Sequence, residues 1–440
     1  MPPLSPTPIE SLAAVLFGLA VLHTFSVKRL EVLAHRRPDG TPLRNVLELL
    51  GEVEVVFGLW AGVLLVGLAF LEHPQRAIDL LEGKLPDRRL DFTEPAFVFA
   101  IMTMAASRPV IEVATRLVRF VAKRLPVPDH LSFFATALVL GPLLGGFITG
   151  PAAMTVTALI LKRRFFDHGL SERFSYAIVG TLFVNVSIGG TLTNFAAPPV
   201  LMVARTWSWD VGFMLGHFGW KAAIAVVINA ATLTFLFRRE LAGLADRMAH
   251  THHPVDPRPV PIWLIVAHLA IMAGVVFYAH HMVVFLGLLL FFLGVVDVTG
   301  EFQDELKLRE ALLVAFFLGG LVVLGSFQRW WLQPLISGLD SAALFLGTAS
   351  LTAVTDNAAL TYLGSQVDGM ALADRYALVA GAVAGGGLTV IANAPNPAGY
   401  GILKDNFGAD GISPIQLLIA AAAPTLVVLA AFWFLPHFGS

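Results

Sequence analysis

The sequence contains no cysteine among its 440 residues, and only 14% of those residues are charged. Without cysteine the chain cannot form disulfide bonds, thiolate metal sites or a cysteine nucleophile. It also lacks a GxxxxGKS/T phosphate-binding loop and an HExxH zinc motif, so it supports neither ATP-driven transport nor zincin-type proteolysis. Soluble proteins carry about 25% charged residues. The low charge therefore indicates an integral membrane protein.

Long apolar stretches dominate what is present. Hydrophobic residues make up 56% of the chain, and its mean hydropathy is +0.75. A helix needs about 20 apolar residues to cross a bilayer, so we expect an all-α polytopic membrane protein with roughly 10 transmembrane helices. Suitable stretches lie at 11–28, 46–71, 94–112, 174–204, 219–238, 260–279, 281–297, 310–326, 374–403 and 412–436.

Two further apolar stretches, 131–162 and 341–367, are interrupted near their midpoints by TGP and TDN. On either side of each interruption the apolar run is too short to span a bilayer. Such a stretch predicts a re-entrant helical hairpin, which enters and leaves on the same side. The irregular backbone at its tip is tolerated because protein or water surrounds it.

Two short motifs recur in the two halves of the chain. TGPAAMT at 149–155 returns as TDNAALT at 355–361, and GGTLTNFAAPP at 189–199 returns as GGGLTVIANAP at 385–395. Gly and Pro mixed with Thr and Asn, at corresponding places of two hydrophobic halves, indicate broken helices and the binding site of a secondary transporter.

The repeated motifs also predict the division of the chain. Each half holds an odd number of crossings, so the second half should insert upside down relative to the first. The predicted units are a first inverted repeat at 1–238 with its hairpin at 131–162 and its broken helix at 174–204, a cytoplasmic linker at 239–259, and a second repeat at 260–440 with its hairpin at 341–367 and its broken helix at 374–403.

Basic residues predict the orientation. If the 28–45 loop is cytoplasmic, most of the 29 Lys and Arg collect on that side, as the positive-inside rule requires. Both termini then lie outside, the first hairpin opens to the cytoplasm and the second opens to the exterior. The amphipathic stretch 108–125 predicts a helix along the cytoplasmic interface, and 327–340, with Trp330 and Trp331, predicts its counterpart outside.

Asp356 is the main candidate for ion chemistry, because it lies in the middle of an apolar hairpin. Ionisable groups at that depth are costly and usually mark ion or proton pathways. Burial disfavours the charged carboxylate, so a proton and a metal cation would compete for it. A structural alternative, compatible with the first, is that Asp356 caps the second hairpin helix by accepting from the amides of Ala358 or Ala359.

Oxygen-bearing side chains cluster at the two tips and the two breaks, which suits Na⁺, a hard cation that prefers oxygen ligands. Each of them alone could simply bond back to its own helix, so the clustering is the stronger evidence. The second-half candidates are Ser350, Thr355, Asn357, Thr389, Asn393 and Asn396. The first-half candidates are Thr149, Asn185, Ser187, Thr193 and Asn194.

Other ionisable residues in apolar stretches are weaker candidates for ion or proton binding than Asp356. Glu52 and Glu54 are two residues apart, so on a helix they point to nearly opposite faces and do not form a paired-carboxylate site. Glu54 is an accessory proton candidate or an internally hydrogen-bonded structural acid. His23 resembles a satisfied structural histidine.

Lys221, with His217 four residues earlier, could neutralise Asp356, but the span 219–238 predicts that Trp220 and Lys221 anchor the outer interface instead. The linker histidines lie in a polar stretch, which indicates a solvated loop rather than a metal site. They are His250, His252 and His253.

The four motifs together resemble those of the ion transporter superfamily, which includes divalent anion/sodium symporters, ArsB-type arsenite carriers and NhaD-type sodium/proton antiporters. TDNAALT is similar to the tip of the antiporter branch. The resemblance implies that Thr355, Asp356, Asn357, Asn393 and Asn396 line the ion site. It also implies a homodimer in which hairpins and broken helices form a mobile transport domain against a fixed scaffold.

The sequence departs from that superfamily at two places. Gly150 and Pro151 stand at the first tip, where a polar pair is common, which argues against a complete second sodium site. Pro198 and Pro199 end the first break without the usual following Asn.

These observations predict a Na⁺/H⁺ antiporter of the bacterial inner membrane that works by alternating access, with Asp356 as the shared site. Its partners would be lipid and small ions, with no cofactor and no nucleic acid. The alternative is a Na⁺- or H⁺-coupled carrier of a small carboxylate or oxyanion, although Asp356 would repel an anion unless it is neutralised. An intramembrane aspartate enzyme lacks a second acid for a dyad, and a channel would not need broken helices in inverted repeats.

Overall fold

The computed structural model describes residues 5–85, 88, 90–248, 259–408 and 411–436, with the side chains of 28 and 245–248 left aside. The part of the linker that carries the three histidines, 249–258, lies outside the described residues. All regular secondary structure in the described ranges is helical, and these ranges contain no strand. The expected all-α membrane fold is therefore confirmed.

The described residues of the first half and of the predicted linker form thirteen α-helices, interspersed with short 3₁₀ turns. They are α1 Pro8–His35, α2 Pro42–Leu50, α3 Val53–Leu71, α4 Pro74–Leu81, α5 Thr93–Ala105, α6 Arg108–Ala122, α7 Asp129–Ile148, α8 Gly150–Arg164, α9 Glu172–Gly189, α10 Pro198–Ala204, α11 Val211–Met214, α12 Trp220–Leu236 and α13 Arg238–Met248. A π-helical turn, Leu215–Gly219, joins α11 to α12.

The second half repeats the order of long helices, interfacial helix, hairpin, broken helix and final helix. It consists of α14 Ile262–Phe277, α15 Met282–Val298, α16 Leu308–Gly325, α17 Arg329–Ile336, α18 Ser341–Thr352, α19 Asn357–Ser365, α20 Leu372–Gly385, α21 Asn396–Leu403 and α22 Pro414–Phe434.

Within the described ranges, seven helical segments are long and apolar enough to cross a membrane, and an eighth is formed if α5 and α6 count as one bent span. The seven include α3, α7, α9, α16 and α22, with most of α1 and the continuous α11–α12 segment. The α14 and α15 helices are apolar but shorter, at 16 and 17 residues. The axis turns by 66° between α5 and α6, and that α6 lies along the membrane interface stays a prediction.

Two expected spans have different boundaries in the structure. The stretch 46–71 is divided between α2 and α3 by Gly51 and Glu52, and Glu52 is the extended N-cap of α3 rather than a helical residue. The stretch expected at 219–238 begins instead at Val211, because Asp210 accepts a hydrogen bond from the Phe213 amide at 2.7 Å and caps the helix there.

The interrupted stretches break where the motifs lie. Only Thr149 separates α7 from α8, and four residues separate α18 from α19. The α9 helix ends at Gly189, and α20 ends at the equivalent Gly385. A proline begins or directly precedes the second segment of each broken helix. Proline disrupts the interior of a helix but is well tolerated in the first turn of a new one. That the hairpins are re-entrant and the repeats inverted stays a prediction.

The two halves pack crosswise around these breaks. The α10 helix packs against hairpin helix α19 of the other half, and α21 packs against hairpin helix α8. Within the second half, α18 lies very close to α20, because a Cβ on Gly381 would lie 2.1 Å from the carbonyl oxygen of Phe345. Small residues permit such close helix contacts in membranes.

We predict that Gly381→Ala destabilises the protein by about 1–3 kcal/mol, since the added methyl meets backbone that cannot move aside. The matched control is Gly287→Ala on α15, where nothing lies within 4 Å of the new Cβ and alanine should gain up to about 1 kcal/mol of helix propensity. The measurement is the thermal unfolding midpoint of each purified variant in the same detergent. Equal midpoints for the two variants would contradict this packing.

Candidate ion-binding site

The second hairpin tip is organised by Asp356. This residue is the N-cap of α19, and its Oδ1 accepts hydrogen bonds from the amides of Ala358 at 2.7 Å and Ala359 at 3.2 Å. The capping role expected from the sequence is therefore present. Both bonds end on one carboxylate oxygen, so capping uses one side of the carboxylate. Capping does not exclude a role in ion binding.

Side chains of the second helix break hold that break against the hairpin tip. The Thr389 hydroxyl donates to the carbonyl of Ala353 at 2.9 Å. The Asn396 amide nitrogen donates to the carbonyls of Gly386 at 2.7 Å and Thr389 at 2.8 Å. At the first break, Thr193 donates to Gly146 at 2.6 Å in the same manner. These bonds replace helical partners that the broken backbone has lost.

Three elements meet at Gly386. A Cβ there would lie 2.2 Å from the Ser187 hydroxyl of α9 and 2.7 Å from the Asn357 amide nitrogen of α19. The Ser187 hydroxyl donates to the carbonyl of Val383 at 2.7 Å, which ties the first broken helix to the second. The structure therefore brings Ser187, Asn357 and Asn396 together around one glycine.

The same region contains buried polar atoms with no hydrogen-bond partner among the described residues. They are both amide atoms of Asn357, the Oδ1 atoms of Asn393 and Asn396, and the Oγ1 of Thr149. Leaving a buried polar atom unpaired costs about 1–3 kcal/mol, so these atoms fit a polar ligand. Four of the five are oxygens, the ligand type that hard cations prefer. No group of three or more His, Cys, Asp or Glu in the described ranges could hold a metal ion.

The first tip is a strained turn. Thr149 has φ 79° and ψ 151°, a backbone region that is almost restricted to glycine. Its carbonyl accepts from the Ala153 amide at 3.0 Å. The next residue, Gly150, lies against Pro395 of the second break, since a Cβ on Gly150 would lie 2.8 Å from the Pro395 ring. The first tip thus touches the second break.

Other expected site residues do not join this cluster. Asn185 donates to the carbonyls of Leu138 at 3.1 Å and Val226 at 3.4 Å and accepts from Asn229, so it links α9 to α7 and α12. Ser350 is exposed and donates to its own helix at Leu346.

Two more expected residues, one in the first break and one in the second tip, make other hydrogen bonds. Asn194 donates to the carbonyl of Trp209 at 3.0 Å. Thr355 is half-buried, and its backbone amide donates to the Leu351 carbonyl at 3.0 Å.

Glu54, in the first turn of α3, lies close enough to Asp356 for the two charges to interact. Glu52 forms an ion pair with Arg309 of α16. The sequence analysis missed this partner because the stretch around Arg309 resembles an ordinary basic loop. His23 has structural contacts, as expected: its Nε2 lies 2.9 Å from the carbonyl oxygen of Leu50, and Trp60 donates to its Nδ1 at 3.2 Å.

The expectation that Lys221 lies at the outer interface is wrong. Its side chain is 0% exposed, and its Nζ donates to the Tyr376 hydroxyl at 3.0 Å. That hydroxyl donates in turn to the carbonyl of Phe432 in the last turn of α22 at 2.8 Å. Because the helical segment begins at Val211, Lys221 is well inside it, and its charge lies near a helix C-terminus, where cations are stabilised.

Comparisons with known proteins bear on the family. The sequence profile of the family described as "Putative Na+/H+ antiporter" matches residues 8–435. No curated protein matches the chain. Among solved structures, the YdaH transporter of Alcanivorax borkumensis is similar over 86% of this chain and 96% of its own, with 14% sequence identity and a TM-score of 0.45. Because the profile covers nearly the whole chain, this protein belongs to the family of Na⁺/H⁺ antiporters that the profile describes.

Proposed function

We propose that the protein exchanges Na⁺ for H⁺ by alternating access, with Asp356 as the shared site. The observation that carries this proposal is the group of unpaired buried polar atoms of Asn357, Asn393 and Asn396, in the same tip and break as the Asp356 carboxylate. Amide oxygens with one carboxylate suit a small monovalent cation. The antiporter family makes Na⁺ and H⁺ the expected ions.

Coupling follows from the cost of an uncompensated charge. With a proton or with Na⁺ bound, the Asp356 site carries no net charge. With neither bound, a bare carboxylate would have to cross the low-dielectric interior, which is expensive. The carrier therefore changes orientation when a proton or Na⁺ is bound and does not do so when the site is empty. If Na⁺ is bound on the way in one direction and a proton on the way back, the result is exchange.

The moving part would consist of the two hairpins and the two broken helices. We propose that they move together, because α10 packs on α19 and α21 packs on α8 across the halves. In this proposal the repeats 1–238 and 260–440 are inverted, the protein is a homodimer in a bacterial inner membrane with both termini outside, and it is a member of the ion transporter superfamily.

We predict that Asp356→Asn abolishes Na⁺-dependent dissipation of a pH gradient in proteoliposomes, because the amide cannot exchange a proton for a cation. The measurement is the fluorescence of a pH-sensitive dye, with wild type and variant side by side across Na⁺, Li⁺, K⁺, Ca²⁺ and a set of carboxylates. Full Na⁺ activity in Asp356→Asn would contradict the assignment. A response of the wild type to a carboxylate but not to Na⁺ alone would favour the anion carrier instead.

We predict that Asn357→Ala raises the KM for Na⁺ by about five- to 150-fold, since one lost cation contact is worth about 1–3 kcal/mol and about 1.4 kcal/mol is a factor of ten. The matched control is Asn45→Ala, which removes the same amide from the exposed face of α2. The KM is measured from the initial rate of exchange against Na⁺ concentration. An unchanged KM in Asn357→Ala would remove Asn357 from the site.

A further inference from the structure

Two glutamates occupy corresponding positions on opposite sides of the membrane. Glu54 lies in the first turn of α3, and Glu94 lies in the first turn of α5. Because α3 spans the membrane and the short α4 connects its far end to α5, the two residues face opposite sides. The side that carries Glu94 is named the distal face here.

Each of the two glutamates follows an acid that is paired with a distant arginine. Glu52 pairs with Arg309, and Asp91 pairs with Arg205. Glu94 itself lies 3.9 Å from Arg205, which is beyond hydrogen-bond distance. Arg205 is therefore within ion-pair distance of both acids but makes its closer contact with Asp91, so the Glu94 carboxylate keeps oxygen atoms that can meet another cation.

A polar cavity of about 770 Å³ opens beside Glu94. Its described lining residues include three arginines, and two of these are bonded to other acids: Arg88 to Glu10 at 3.0 Å and Arg205 to Asp91. The third, Arg329, pairs with Asp368 at the side of the cavity. Among the described carboxylates that line this cavity, Glu94 is therefore the one without a hydrogen-bonded arginine.

The same cavity reaches the second hairpin. Tyr362 of α19 lines it together with Glu94, and the Tyr362 hydroxyl donates to the carbonyl of Val322 at 3.1 Å. The α19 helix starts at its cap, Asp356. Glu94 thus faces the helix that carries the proposed ion site.

A second cavity, of about 390 Å³, lies on the other side of Glu94. It is lined by Glu94 and by Asn194 and Phe195 of the first helix break. The Glu94 side chain, which is 17% exposed, is therefore shared by two cavities, and each cavity reaches a different part of the proposed moving domain.

From this placement we propose that Glu94 is the cation-attracting carboxylate of the distal face, through which Na⁺ passes between solution and the Asp356 site. The inference rests on the proposed antiport. A negative charge at the junction of two partly enclosed cavities raises the local concentration of cations. Glu94 then acts on capture and release of Na⁺ at one face, and it is not the site of the exchange itself.

The test is Glu94→Gln in proteoliposomes of known orientation, with Na⁺ presented to one face at a time. We expect the KM for Na⁺ at the distal face to rise about three- to tenfold, with the KM at the opposite face and the maximal rate unchanged. The difference from wild type should shrink when ionic strength is raised with choline chloride, because salt screens exposed charges. The control is Glu82→Gln, which removes an exposed carboxylate from the same face outside both cavities.

Glu94→Asp keeps the charge and should retain a KM close to that of wild type. If Glu94→Asp and Glu94→Gln are equally impaired, or if Glu94→Gln changes both faces alike, the charge-based role is overturned. An active wild type with an unaffected Glu94→Gln variant contradicts the role of Glu94 alone. A wild type that exchanges no cation contradicts the antiport proposal, and the role of Glu94 falls with it.

Discussion

Backbone groups inside a membrane must find partners within the protein, and the helix breaks exist only because side chains meet that requirement. Asn396 donates to two carbonyls of its own break, Gly386 and Thr389. Those bonds fix the plane of the Asn396 amide and therefore the direction of its unpaired Oδ1. Asn396 thus supplies hydrogen bonds to the irregular backbone and also presents an oxygen to the proposed site. The position of the proposed site therefore depends on which side chains supply hydrogen bonds to the backbone carbonyls at the helix break.

The second constraint is space at the crossing of the two halves. A side chain at Gly386 would collide with the Ser187 hydroxyl and the Asn357 amide, and one at Gly150 would collide with Pro395. The absence of a side chain at Gly386 and at Gly150 therefore permits the halves to touch. Because the contacts are crosswise, the proposed shift of one hairpin would displace the broken helix of the other half. This geometry favours motion of the four elements as one body.

The sequence predicted the positions of the helix interruptions at the two tips and the two breaks within a few residues, because Gly, Pro and capping residues act locally. It failed where the decisive contact was distant or a cap was overlooked. Asp210 caps the helix that contains Lys221, and a count of apolar residues that ignored this cap placed Lys221 at the interface. Asn185 was expected at the ion site but instead links three helices, because its partners on α7 and α12 are set by packing that the sequence does not show. Glu94 was missed because an acid in a first turn resembles an ordinary helix N-terminus.

Charge counting narrows what the site can carry. The described tips and breaks provide one carboxylate, Asp356, together with neutral amides and hydroxyls. One proton or one monovalent cation brings that set to zero net charge, and an anion would meet the carboxylate directly, whereas a divalent cation would be neutralised only if the nearby Glu54 contributed its charge as well. Proton and monovalent cation are thus the two loads that leave the site equally neutral. In the proposed mechanism, a carrier that must be neutral to move can therefore exchange these two loads for one another.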